Sequence, residues 1–275
     1  MKRARAAIAT AGGIAETGLS ALGTVWSQVS QGRVVAETAH RPWPLPDGPW
    51  LMAQTWGDLL FAHWPVPVEA LRPLVPRPLP VDTFDGTAWL GVTPFEVSGL
   101  RLRGTVPAPR LSRFAELNVR TYTSHGGKPG IWFFSLDAAS AVAVAAARRS
   151  YRLPYHRARM AIARDAAGIR YRSVRSSPPA ALEIEYAPAG AVHPPEPGTL
   201  EHWLTERYCL YAFDRGRLLR AEIHHPPWPL QPARATIATN TMAPPGVELP
   251  ATEPLLHFAR RQDVVIWPPQ RVLER

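Results

Sequence analysis

The chain has 275 residues, 46% of them hydrophobic and 19% charged, which is enough apolar material for a sizeable core and too little charge for a disordered chain. Its 31 prolines cannot donate to a sheet ladder or sit inside a helix, so they belong in loops, edges and extended connections and argue against a helical bundle. The formal net charge of +9 raises a nucleic-acid or anionic-membrane partner, but only Lys2 and Lys128 of the 31 basic residues are lysines. The arginines form no stripe with interleaved aromatics, so scattered surface cations and no nucleic-acid partner are expected.

In chain order, Met1 to Arg5 is basic and Ala6 to Ala15 mildly apolar, but Gly12, Gly13 and Glu16 break any hydrophobic run. No signal peptide or membrane span is expected. Residues 1 to 42 read as an N-terminal extension, flexible or part-helical, ahead of the turn-forming run Arg41 to Gly48. Residues 43 to 275 read as one domain. Strand-like runs then follow between Pro/Gly clusters: Leu59 to Trp64, Thr87 to Val97, Phe114 to Thr123, Ile131 to Asp137, Ile169 to Val174, Leu182 to Tyr186, Tyr208 to Phe213 and Leu218 to His224. Three segments read as helical instead: Val68 to Leu74, the Ala-rich Ala138 to Arg149, and Gly198 to Glu206 with Thr199 as N-cap. The pattern predicts a mainly β (α+β) fold, an antiparallel sheet closed or nearly so, with a few peripheral helices. Cys209 is the sole cysteine, which excludes an intramolecular disulfide and a cysteine-based zinc site and fits a reducing cytoplasm.

The most informative segment is Phe114-Ala-Glu-Leu-Asn-Val-Arg-Thr-Tyr-Thr123. Side chains alternate across a strand, so Glu116, Asn118, Arg120 and Tyr122 share one face. That face either meets solvent or lines a lumen where an acid, an amide, a guanidinium and a phenol converge on a small ligand. Further on, Leu153-Pro-Tyr-His156 places Tyr155 and His156 at a turn, as packing or as functional groups. His224 and His225 are adjacent on a strand and point to opposite faces, so they cannot easily share a metal, and no metal site is expected. Pro226-Pro-Trp228 reads as a lid against one end of the sheet. Nucleotide-binding loops, GxSxG and HExxH are all missing. Cys209 reads as core.

Trp56-Gly-Asp-Leu-Leu-Phe-Ala-His-Trp-Pro65, Leu71 to Pro76, Glu116 to Tyr122 as ELNVRTY, Trp132 to Asp137, Leu153-Pro-Tyr155 and His225-Pro-Pro-Trp-Pro-Leu230 together resemble the DUF2071, or YqjF-like, family over about residues 50 to 245. The resemblance implies an acetoacetate-decarboxylase-like fold, a cone-like β-barrel around a ligand cavity. Phe114-Ala-Glu116 is similar to the aromatic-x-Glu motif of acetoacetate decarboxylases, Ala147-Arg148-Arg149 to their Gly-Arg-Glu helix end, and Leu153-Pro-Tyr-His156 to their aromatic-Pro-Lys-Lys turn. Tyr155 and His156 thus stand where that family carries its Schiff-base lysine. A phenol with a pKa of about 10 cannot form an iminium, so any surviving chemistry is acid/base.

The expectation is a cofactor-independent small-molecule enzyme of lyase, isomerase or hydratase type acting on a carbonyl or carboxylate compound. Arg120 would bind a carboxylate, Glu116 would act as general base, and Tyr155 or Tyr122 would donate to a developing enolate. Asn118, Tyr122, Arg148 and His156 complete the candidate ligand-binding set. The alternative is a non-catalytic binding or sensing protein using the same cavity. Sheet edges and Trp-rich loops allow a homodimer.

Overall fold

The computed structural model describes residues 31, 33–108 and 111–272. Thirteen strands form one continuous sheet, twelve of them in the order β13-β10-β9-β4-β3-β2-β1-β12-β11-β8-β7-β6, with β5 paired to β4 off that path. They are β1 (Met52–Val66), β2 (Ala88–Leu102), β3 (Phe114–His125), β4 (Lys128–Ala138), β5 (Tyr155–Arg157), β6 (Arg159–Arg164), β7 (Ile169–Ser176), β8 (Pro179–Pro188), β9 (Cys209–Asp214), β10 (Arg217–His224), β11 (Leu230–Asn240), β12 (Leu255–Ile266) and β13 (Gln270–Arg271). The helices are α1 (Val68–Leu71), α2 (Ala141–Tyr151) and α3 (Leu200–Thr205).

The path closes on itself. Strand β10 also pairs with β12, at Ile223 opposite Ile266 and His224 opposite Val265, so β10-β9-β4-β3-β2-β1-β12 forms a ring. Beyond β12, β11-β8-β7-β6 continues as a flank lying over the ring's outer surface. Pairing is antiparallel throughout except for β4 with β5 and β4 with β9. The predicted mainly β architecture with few helices is therefore observed.

Every predicted strand run matches an observed strand, with only Thr87 and Tyr208 falling one residue before theirs, and Thr199 caps α3 by accepting from the His202 N–H. Helix α2 starts at Ser140, whose side chain accepts from the Ala143 N–H, and ends at Arg152 in the left-handed conformation. The β3–β4 hairpin turns on Gly126 and Gly127, both at positive φ, which is what a two-residue loop of this hand requires.

Strand β3 explains how the ring works. From Ala115 to Thr123 it is buried on both faces. Leu117 and Val119 pack outward against Tyr171, Leu182, Ile184 and Tyr186 of the flank. Glu116, Asn118 and Arg120 point inward. An ion pair between buried Asp137 of β4 and Arg175 of β7, at 2.6 Å, ties flank to ring.

In the segment before the ring, read as a flexible or part-helical extension, Val34–Ala36 form a 3-10 turn. The segment is tied to the ring: the Arg41 side chain is buried, donates to Glu222 Oε2 at 2.7 Å and to the Ile223 carbonyl at 2.7 Å, and packs on the Tyr208 ring. His224 is held by the Val34 and Glu37 carbonyls. A charged side chain desolvated this way must be paired, and Glu222 pairs it. Residues 1–30 lie outside the described residues.

Candidate functional site

A cavity of about 540 Å³ occupies the ring. Glu116, Asn118 and Arg120 line it, so the polar face of β3 does not meet bulk solvent. Their neighbours across the sheet are set by register: Phe95 lies opposite Glu116, Thr93 opposite Asn118 and Gly91 opposite Arg120. Gly91 also pairs with His63 of β1. A Cβ at Gly91 would lie 3.0 Å from His63 and 3.3 Å from Arg120, so glycine allows both side chains to lie across β2.

Arg120 is 6% exposed, and among the described residues no carboxylate pairs with it. Its guanidinium rests on Phe61, at 5.1 Å, and Phe61 packs edge-on against Trp228. Arg207 enters from beyond α3, bonded to Asp82 at 3.0 Å, and lines the same cavity. Several buried polar atoms have no partner here: Arg120 Nε, Arg207 Nη2, Asn118 Oδ1 and Thr93 Oγ1. Unsatisfied buried polar atoms cost about 1–3 kcal/mol each, so three donors (Arg120 Nε, Arg207 Nη2 and the Thr93 hydroxyl) and one acceptor (Asn118 Oδ1) await a polar group here. His63 adds no competing charge, because burial, with Arg120 and His257 nearby, holds its pKa well below the usual imidazole range.

Glu116 sits two inward positions nearer the chain's entry into β3. Tyr155 donates to Glu116 Oε1 at 3.1 Å, and Tyr171 donates to the Glu116 carbonyl at 2.6 Å. Burial raises the Glu116 pKa from 4.5 to about 8, against a smaller lowering by the Tyr155 hydroxyl. Burial and the neighbouring Glu116 drive the Tyr155 phenol well above its usual range. At neutral pH this pair therefore holds a proton rather than a charge. That is the opposite of the state a general base needs.

Three sequence candidates do not line the cavity. Tyr122 is fully buried beneath its floor, with its hydroxyl 2.6 Å from His63 Nε2 and its ring 4.8 Å from that of Trp203. Arg148 lies exposed on α2 and donates to the Tyr155 carbonyl at 2.6 Å. His156 follows Tyr155 on β5, where alternation turns it away. Conversely, Arg207, Thr93, Gln54, Trp56 and His225 line the cavity although none was among the candidate catalytic or ligand-binding residues. Arg207 lies at the end of a short helix, where no period marks its direction. Thr93 and Gln54 could have been found only from strand register.

The remaining candidates are resolved as structure. His224 and His225 diverge as expected: His225 bonds to Gln262 at 3.2 Å, and Trp228 donates to the Thr205 carbonyl at 2.9 Å and stacks on Trp56. Among the described residues, no cluster of three His, Cys, Asp or Glu side chains is placed to hold a metal. Cys209 is fully buried, and burial raises its thiol pKa to about 11. Among the described residues no lysine lines the cavity, and Lys128 pairs with Glu222 at 2.6 Å. No described helix is long and apolar enough to cross a membrane.

The DUF2071 family, described as an uncharacterized conserved protein, matches residues 53–263. The chain belongs to the DUF2071 family. It is 47% identical over 226 residues to the uncharacterized protein YqjF of Bacillus subtilis (strain 168), covering 82% of this chain and 93% of that one. Among solved structures it resembles the enduracididine biosynthesis enzyme MppR complexed with the condensation product of pyruvate and imidazole 4-carboxaldehyde. That match has a TM-score of 0.59 at 12% identity and covers 82% of this chain and 90% of the other. It also resembles acetoacetate decarboxylase, with a TM-score of 0.55 at 16% identity, over 87% of this chain and 96% of the other. At such identities the likeness shows the fold, which is acetoacetate-decarboxylase-like.

Proposed function

We propose that this DUF2071 protein is a small-molecule enzyme that binds a carboxylate-bearing compound in the ring cavity and acts on it by proton donation, without a Schiff base. The observation that carries this reading is Arg120, a buried guanidinium with no carboxylate partner among the described residues, facing the cavity. A carboxylate would supply the missing charge, and the Thr93 hydroxyl and Arg207 Nη2 would donate to it beside Arg120. The neutral Glu116–Tyr155 pair stands along the same strand face. With Tyr155 bonded to Oε1, Oε2 carries the proton and can donate to a carbonyl oxygen as an enolate or enol develops. The ligands named for MppR include pyruvate, a keto acid of this chemical class. Glu116 thereby takes the role of acid: its proton goes to the carbonyl oxygen, the α-carbon's proton goes to a solvent water, and that water's proton returns to Glu116 once the enol has formed.

Binding without turnover is the second reading, since the floor around Arg120 does not need Glu116 to hold an anion. One set of measurements separates the two. Calorimetry compares short carboxylic acids with their primary amides on the wild type and on Arg120→Met, a substitution that keeps bulk and removes an unpaired charge. The wild type should prefer each acid by about ten- to a hundredfold, as a charged hydrogen-bonded pair is worth roughly 1.5–3 kcal/mol, and the variant should lose the preference. Equal binding of acid and amide to the wild type contradicts the proposal. Turnover lost in Glu116→Gln at unchanged affinity supports the enzyme; no turnover in the wild type with any bound acid supports the binding protein.

A further inference from the structure

The cavity's buried polar side chains gather around Arg120, and its exposed lining is mainly apolar, with Arg101 and Thr105 set among a collar of large hydrophobic side chains. Eight large hydrophobic residues are exposed among those described, and five of them line the mouth: Leu51 at 37%, Leu102 at 55%, Val106 at 69%, Leu111 at 47% and Val142 at 59%. Scattered exposed hydrophobics need no explanation, but a ring of them around one opening does. Between collar and floor the wall is hydrocarbon: Ile131, Phe133, Leu136, Ile223 and Ile266. Helix α2 keeps this passage open, because the residues it turns to the cavity include Ala143, Ala146 and Ala147, spaced three and four apart on one face with no bulk beyond Cβ. A short keto acid held at Arg120 would leave both wall and collar facing water.

We infer that the ligand is an amphiphile: a carboxylate on a long, unbranched or lightly branched hydrocarbon chain, its head at Arg120 and its tail running along the apolar wall to the collar. The inference rests on the carboxylate reading given above and adds the tail. It also orients the chemistry. The inward positions of β3 run Phe114, Glu116, Asn118, Arg120 from mouth to floor, so Glu116 meets the chain some way from the carboxylate rather than at the acid carbon itself.

The test is a chain-length series from butanoate to dodecanoate, kept below micelle-forming concentrations, with binding read by calorimetry on the wild type, on Val106→Asp with Leu102→Asp, and on Arg120→Met. Affinity should rise about three- to fourfold per added methylene until the cavity is filled, since each buried methylene contributes about 0.8 kcal/mol. The collar variant, altered only at exposed positions, should bind butanoate as the wild type does and lose at least tenfold for dodecanoate. Affinity that is flat with length, or a collar variant that binds dodecanoate unimpaired, overturns the amphiphile while leaving the carboxylate site standing. Binding of no acid at any length overturns both. Equal binding of dodecanoate and dodecanamide overturns the carboxylate reading and leaves only an apolar cavity.

Discussion

Two buried carboxylates on this sheet carry opposite charge states, and the contrast separates what holds the molecule together from what it is built to do. Glu222, on the ring's outer side, is also desolvated, which pushes its pKa up. It nevertheless receives hydrogen bonds from Lys128 and Trp43 at 2.6 and 2.8 Å and faces Arg41, so its pKa falls below the ordinary value. Glu116, inside the ring, has a phenol as its side-chain partner and is pushed up to about 8. The cation that could have neutralised it, Arg120, lies deeper on the same strand with no carboxylate partner among the described residues. Fold chemistry pairs its charges locally. Here the cavity keeps acid and cation apart, which leaves both available to a ligand.

The comparison can be broken first at the outer carboxylate. Glu222→Ala strands Arg41, whose side chain is 1% exposed, and should cost about 3–5 kcal/mol in denaturant unfolding, the usual result of leaving a buried charge unpaired. A loss near zero would mean that residues 33–42 do not anchor to the ring. The inner carboxylate should behave in the opposite way. Its folded pKa lies above its unfolded one, so the folded state binds more protons and stability is lost as pH rises from about 4.5 to about 8. Glu116→Gln should therefore be more stable than wild type by about 2–4 kcal/mol above pH 8, with the difference vanishing below pH 5. A constant difference across that range would locate the ionisation elsewhere. The smallest effect belongs to Arg148. It is exposed, and Arg148→Ala should shift stability by less than about 0.5 kcal/mol and leave acid affinity unchanged; a marked loss of affinity would restore it to the site.

How much of this could be read in advance follows from the same contrast. The inward row Glu116, Asn118, Arg120 was legible because strict alternation over a run of ten residues fixes which side chains share a face. Tyr122 obeyed the alternation and still missed the cavity, since alternation gives the face but not the depth at which the lumen closes. Strands β11 and β12 were not legible at all. In β11, Pro232 and the small residues Ala233 and Ala235 weaken the hydrophobic signal, and in β12 Arg260 to Asp263 interrupt the apolar run. Their pairing with β1 and β8 is long-range, and no local period reports it. Burial, too, is tertiary: the sequence offers a glutamate at 116 and at 222 on equal terms, and their different charge states come from partners about 90 or more residues away at Glu222, where Lys128 and Arg41 arrive, and from a hydroxyl at Glu116.

The most direct test is a carbon-13 NMR titration of glutamate carboxyl groups, with Glu116→Gln and Glu222→Gln used to assign the two resonances. The account predicts a Glu116 midpoint near pH 8 and a Glu222 carboxyl that stays ionised to pH values below the ordinary glutamate range. A Glu116 signal that is already ionised at pH 6 would contradict it, because the cavity would then hold its own carboxylate along the strand from Arg120 and neither a proton to give nor a place for an acid.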